Sequence, residues 1–146
     1  MRPNLSRALQ GVGMTLVSKL LAEIRTPFGQ QEAGLAAQLS FWAAEESERA
    51  ADRLVIETRA TRELLREGLL LSGRARPAVE AALAAPPAPN LRISSLQAEN
   101  DAVRKGLVEL QAGIEDNPSP AARAFNERIW AELVESTKRR AFAARL

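Results

Sequence analysis

The sequence predicts an all-α protein, an elongated antiparallel helical bundle of four main helices and one short helix. Ala, Leu, Arg and Glu dominate it, Tyr is absent, and the aromatic and β-branched residues that favour strands are scarce. Apolar residues recur at spacings of three and four through most of the chain. Proline and glycine gather in short stretches that separate these periodic segments. At 146 residues the chain has the size of one ordinary domain, and a single helical-bundle domain over 1–146 is expected.

The first helix is expected to start at Asn4, a good N-cap preceded by Pro3. Leu5, Leu9, Val12, Leu16, Leu20 and Ile24 then form an amphipathic stripe, widened by Val17 and Leu21. Arg2 and Arg7 precede this apolar stretch as they would in a targeting segment. Ser18, Lys19 and Glu23 interrupt it, however, and it falls short of the roughly 18 apolar residues needed to cross a bilayer. It reads as the first helix of a cytoplasmic protein. Thr26-Pro27-Phe28-Gly29 predicts a turn, with Phe28 capping the bundle end.

From Gln30 to Leu71 only Gly34 and Gly68 interrupt a helical pattern that would extend roughly 60 Å at 1.5 Å per residue. Large apolar groups lie at its ends: Leu35, Leu39 and Trp42, then Leu64, Leu65 and Leu69. The core-facing line between them is expected to run through Ala43, Ser47, Ala50, Leu54, Thr58 and Thr61, whose small side chains permit close helix approach. Ser72-Gly73 closes this helix, and Arg76-Pro77 opens a short one that stops before Ala85-Pro86-Pro87-Ala88-Pro89. These prolines predict a stiff crossover between helical hairpins, because neither side alone would make a good core.

The segment from Asn90 to Glu115 has the clearest pattern in the chain. Ile93, Leu96, Asn100, Val103, Leu107, Leu110 and Ile114 alternate three- and four-residue steps without a miss, a heptad seam. Ser94 and Gln97 fit a capping box that would leave Leu91 outside the helix. Asn100 sits within the seam and needs a polar partner on the facing helix, as a residue that gives up stability to fix register. Asn117-Pro118 ends this helix. Ser119 as N-cap and Pro120 at the first helical position start the last one, whose apolar face is read as Phe125, Ile129, Trp130, Leu133 and Val134.

Composition narrows the chemistry. There is no Cys and no His, so disulfides, thiolate catalysis, an imidazole base and the Glu-x-x-His motif of carboxylate-bridged metal bundles are all excluded. No catalytic, cofactor-binding or metal-ligating residue is assigned, and no cofactor is expected. The chain reads as uncertain for enzymatic activity, leaning against it. Gly11-Val12-Gly13 lacks the third glycine and the preceding strand of a dinucleotide fingerprint, and reads as a place of close packing or local flexibility. The dense charges of the second helix, among them Glu45 with Arg49, read as a solvated face. Glu46, Arg53 and Glu57 follow Trp42 along one azimuth and predict a buried ion-pair network or an interface edge.

Lys138, Arg139, Arg140 and Arg145 form a basic tail at a helix C-terminus, with Phe142 the only aromatic beside them. With a formal net charge of only +2 the chain gives no strong nucleic-acid signal. The functional expectation is a non-enzymatic interaction protein: a homo-oligomer, with a dimer expected, or an accessory subunit that binds a protein partner through its helix faces. Two alternatives are a binder of a small molecule or acyl chain in a cleft beside Ala43, Ser47 and Ala50, and a nucleic-acid-associated regulator acting through the basic tail.

Overall fold

The computed structural model describes residues 4–143 and is all-helical. Helix α1 (Leu5–Thr15) starts where the sequence places it, with Asn4 Oδ1 accepting from the Ser6 amide at 2.8 Å. It continues through one π-helical turn, Leu16–Leu20, and a last α-turn, Leu21–Glu23. Pro3 and Arg145 lie outside the described residues. The other helices are α2 (Pro27–Gly68), α3 (Arg76–Ala84), α4 (Ile93–Glu115) and α5 (Pro120–Arg140). No described helix is long and apolar enough to cross a membrane.

Helix α2 is one continuous helix of 42 residues, and both its ends differ from the sequence expectation. Pro27 begins the helix instead of turning the chain, since its fixed φ and missing N–H suit the first helical position. Thr26 caps it: its Oγ1 accepts from the Gly29 amide at 3.2 Å and its carbonyl from the Gln30 amide at 3.0 Å. Phe28 is therefore carried on the first turn and is 70 % exposed, so it does not cap a bundle end. The helix stops at Gly68, three residues early, because two tight turns through Leu69–Leu71 lead into a 3-10 turn at Gly73–Ala75. Helix α4 begins at Ile93 with Arg92 as its N-cap. The Ser94–Gln97 capping box does not form, and the Gln97 amide donates instead to Asp101 Oδ1 at 2.7 Å.

The described chain forms two compact units. One comprises residues 4–50 and 141–143, a hairpin of α1 against the first half of α2. Its buried side belongs to small residues: Ser6 and Gly13 on α1, and Ala33, Ala37 and Ala44 on α2. A Cβ on Gly13 would stand 2.9 Å from the Phe41 ring and 3.2 Å from the Ala37 carbonyl oxygen. The close-packing reading of Gly13 holds, whereas Gly11 faces open space. The expected inward line is displaced by one residue here. Ala43 and Ser47 are exposed and Ala44 is buried, because α1 docks on the Ala33–Ala37–Ala44 side.

The other unit, residues 51–140, holds the second half of α2 together with α3, α4 and α5. Its apolar core joins Leu64 and Leu65 of α2, Val79 and Ala82 of α3, Val103, Leu107, Leu110 and Ile114 of α4, and Ala122, Phe125 and Ile129 of α5. The heptad seam is thus confirmed from Leu96 to Ile114, with Ile93 exposed at its start. Contacts fix the directions. Thr58 meets Asn100 and Gly68 meets Leu110, so α2 and α4 run the same way, while Gly68 also meets Phe125 and Glu57 meets Ser136, so α5 runs opposite. Trp130 and Val134 are exposed, one residue off the line Phe125–Ile129–Leu133 that packs inward.

The proline connector is held by a half-buried pair that spacing gave no means to foresee. Arg62 donates to Glu99 Oε1 from Nη2 at 3.1 Å, to the Leu83 carbonyl at 3.0 Å and to the Ala85 carbonyl at 2.9 Å. It thereby satisfies carbonyls at the end of α3, where a cation is favoured. Glu99 Oε2 accepts the Ala88 amide at 2.8 Å. Helix α3 also approaches α4 closely, since a Cβ on Gly106 would overlap the Ala82 methyl.

Two glycine substitutions are expected to act in opposite directions. Gly106→Ala should lower stability by about 1–3 kcal/mol through overpacking at Ala82. Gly34→Ala, with nothing near its added methyl, should raise it by about 0.5–1 kcal/mol through helix propensity. Urea denaturation midpoints check both signs.

Candidate functional site

Next to the apolar core, the second unit buries a polar layer. Glu57 on α2 is 0 % exposed although it is a carboxylate. Three side chains meet it: Ser136 Oγ donates to Oε1 at 3.0 Å, Arg140 donates to Oε1 at 3.0 Å and to Oε2 at 2.5 Å, and Arg104 Nη1 of α4 lies 3.6 Å from Oε2. Beside it the fully buried Asn100 donates from Nδ2 to Thr58 Oγ1 at 3.1 Å, while its Oδ1 has no hydrogen-bond partner. The polar partner that the seam required is therefore Thr58, on the facing helix of the same chain.

The electrostatics follow from this geometry. Burial alone would push the Glu57 pKa up, and that is the largest single influence on it. The hydrogen bonds from Arg140 and Ser136 and the charges of Arg140 and Arg104 together outweigh burial, so the net direction is downward. A carboxylate held ionised, enclosed and occupied by donors is a poor proton acceptor. Although Ser136 donates to it, the pair lacks the basic partner and the access that a nucleophilic serine needs. The layer's chemistry is that of a helix lock.

Of the line Glu46, Arg53 and Glu57, the structure makes Glu57 the centre of a buried ion cluster. Arg53 is half-buried, and Glu46 belongs to the first unit and is half-buried there. Glu45 pairs with Arg49 as spacing predicts. The Ala43 and Ser47 side of α2 is exposed, so it does not line an enclosed cleft. The described cations of the basic tail are engaged with carboxylates: Lys138 with Glu135 at 2.7 Å, Arg139 with Glu132, and Arg140 with Glu57. Phe142 stacks on Trp42, with ring centroids 5.4 Å apart, within the first unit. Sequence reasoning missed Ser136 and Arg104 as partners of Glu57. The available signal was Ser136 on the inward line of α5 and Arg104 beside the seam of α4.

Charged groups also line a shallow groove between α2 and α5, where Glu63, Glu67, Glu132 and Glu135 face Arg128. Arg128 bonds Glu67 at 2.5 Å, which raises its pKa, and Lys138 lowers that of Glu135. Such exposed pairs contribute little to stability. Among the described residues no three potential metal-ligating side chains come together.

The chain was compared with protein-family models, curated proteins and solved structures, and none of them matches it.

Glu57→Gln is expected to destabilise the protein by about 2 kcal/mol, since it removes the buried charge that Ser136, Arg140 and Arg104 face. The effect should depend on pH. A folded pKa below the ordinary 4.5 means that the stabilisation is complete above that value and is lost as pH falls through the lower folded pKa. Urea melts of both proteins from neutral to strongly acid pH should therefore show the gap closing only under acid conditions.

Proposed function

We propose that the chain is a non-enzymatic helical interaction protein that pairs with a second copy of itself through helix faces of its first unit. One observation carries this reading. Among its described residues the first unit fully buries only alanine, glycine and serine, while Leu5, Val12, Met14, Phe28, Leu35 and Leu39 stand in solvent. On α2, Phe28, Leu35 and Leu39 share one line, and Leu35 and Leu39 are 58 % and 51 % exposed. Phe142 covers Trp42 at the end of that line. On α1, Leu5 and Val12 are more than half exposed on the stripe that spacing assigned to a core. A hairpin that turns these residues outward has no apolar core of its own.

A second copy is the occupant that best accounts for this pattern. The exposed parts of these side chains amount to several hundred Å² per chain, of the same order as the ~800 Å² that each partner of a standard interface buries. Pairing about a two-fold axis would bring the α2 lines together as a self-complementary surface. Exposed large apolar side chains aligned on one helix face mark an association site on a protein otherwise rich in surface charge. Residence in the cytoplasm belongs to the same proposal.

Multi-angle light scattering at a chain concentration of about 50 µM tests the pairing, a range in which a specific dimer of ordinary affinity is populated. The expected mass is that of two chains, and the combined change Leu35→Glu with Leu39→Glu should reduce it to one while far-ultraviolet circular dichroism stays helical. A wild-type mass of one chain would overturn the proposal.

A further inference from the structure

In the second unit, a pocket of about 210 Å³ lies between α2 and α4, where Thr58, Arg59, Arg62 and Arg66 of α2 meet Leu96 and Glu99 of α4. Arg59 and Arg66 are two helical turns apart on one side of the helix, about 10 Å along its axis, with Arg62 between them. Guanidinium groups on stems of that length can converge on one group bound midway.

The three arginines differ in what they already hold. Arg62 is committed to Glu99 and to the carbonyls of Leu83 and Ala85. Glu99, the acidic side chain of the pocket wall, is committed in turn to Arg62 and the Ala88 amide. Arg59 and Arg66 form no ion pair with any described residue. Glu63, four residues after Arg59 and three before Arg66, lines the separate groove beside Arg128. Arg62 and Glu99 cancel, so the pocket retains two uncompensated positive charges.

Thr58 adds a neutral donor at the same place. It lines the pocket, and its Oγ1 already accepts from Asn100. No described acceptor takes its hydroxyl hydrogen, which leaves that O–H able to donate. Two unpaired guanidinium groups and a hydroxyl donor around a pocket of this size match the needs of a tetrahedral dianion. Leu96, on the α4 side, offers an apolar contact for a short organic substituent.

The geometry points to an oxyanion site in this pocket, in which Arg59, Arg66 and Thr58 hold the phosphate group of free phosphate or of a small phosphate monoester. The site is separate from the apolar lines of the first unit, so its occupancy is read independently of chain mass.

The test uses the full chain. Arginine Nε–Hε signals are followed by NMR while inorganic phosphate, a short-chain alkyl phosphate or chloride is added at matched ionic strength. Phosphate is expected to shift the Arg59 and Arg66 signals saturably, and chloride is not. Arg59→Gln and Arg66→Gln should each weaken phosphate binding about tenfold, whereas Arg123→Gln, an exposed arginine outside the pocket, should leave it unchanged. Tighter binding of the alkyl phosphate would identify a monoester as the ligand class, and equal binding the free ion. An equal response to chloride, or equal weakening by Arg123→Gln, would overturn the proposal.

Discussion

The buried carboxylate of Glu57 is the constraint around which the second unit is arranged. Taking a charge out of water costs several kcal/mol unless donors replace the lost hydration. Those donors come from two other helices, Ser136 and Arg140 on α5 and Arg104 on α4. Apolar side chains such as Leu65 and Leu110 reward contact without specifying it closely, whereas directional bonds to one carboxylate tolerate no sliding. The Asn100–Thr58 bond sets the remaining register, that of α4 along α2. Below this layer the apolar core can close in only one alignment, and Gly68 and Gly106 allow the approach that the alignment demands.

Much of this fold was legible in the sequence, and the misreadings share a cause. Helix existence, the caps at Asn4 and Ser119 and the seam from Leu96 to Ile114 each rest on a pattern that only one structure satisfies. The azimuth of the first half of α2 was misread because alanine occupies several of its faces. Between Ala43 and Ala44 hydrophobicity offers no choice. What decides it is Gly13 on another helix, which lets α1 dock over Ala37. Pro27 was read as a breaker although the same residue is favoured at a helix start. At the polar layer the sequence marked Glu57 as unusual but could not name its partners, since they lie on helices far away in the chain. The Arg62–Glu99 pair escaped notice for the same reason.

The two units solve the burial problem differently. In residues 51–140, leucine, isoleucine, valine and phenylalanine turn inward, and a satisfied ion cluster orders the helices. The hairpin of α1 and the start of α2 brings its backbones together over glycine, serine and alanine, and leaves Leu5, Val12, Phe28, Leu35 and Leu39 exposed. This division links packing to function in the present account. One unit has an apolar core of its own, and the other leaves apolar side chains exposed, the surface proposed for association.

Hydrogen exchange measured across a dilution series tests this division most directly, because amide protection reports local stability segment by segment. The account predicts that residues around Glu57–Leu65 and Leu96–Ile114 stay protected at every concentration, while α1 and residues 28–44 lose protection as the chains are diluted below their association range. Equal protection of α1 at all concentrations would contradict it, since the first unit would then be stable without a partner.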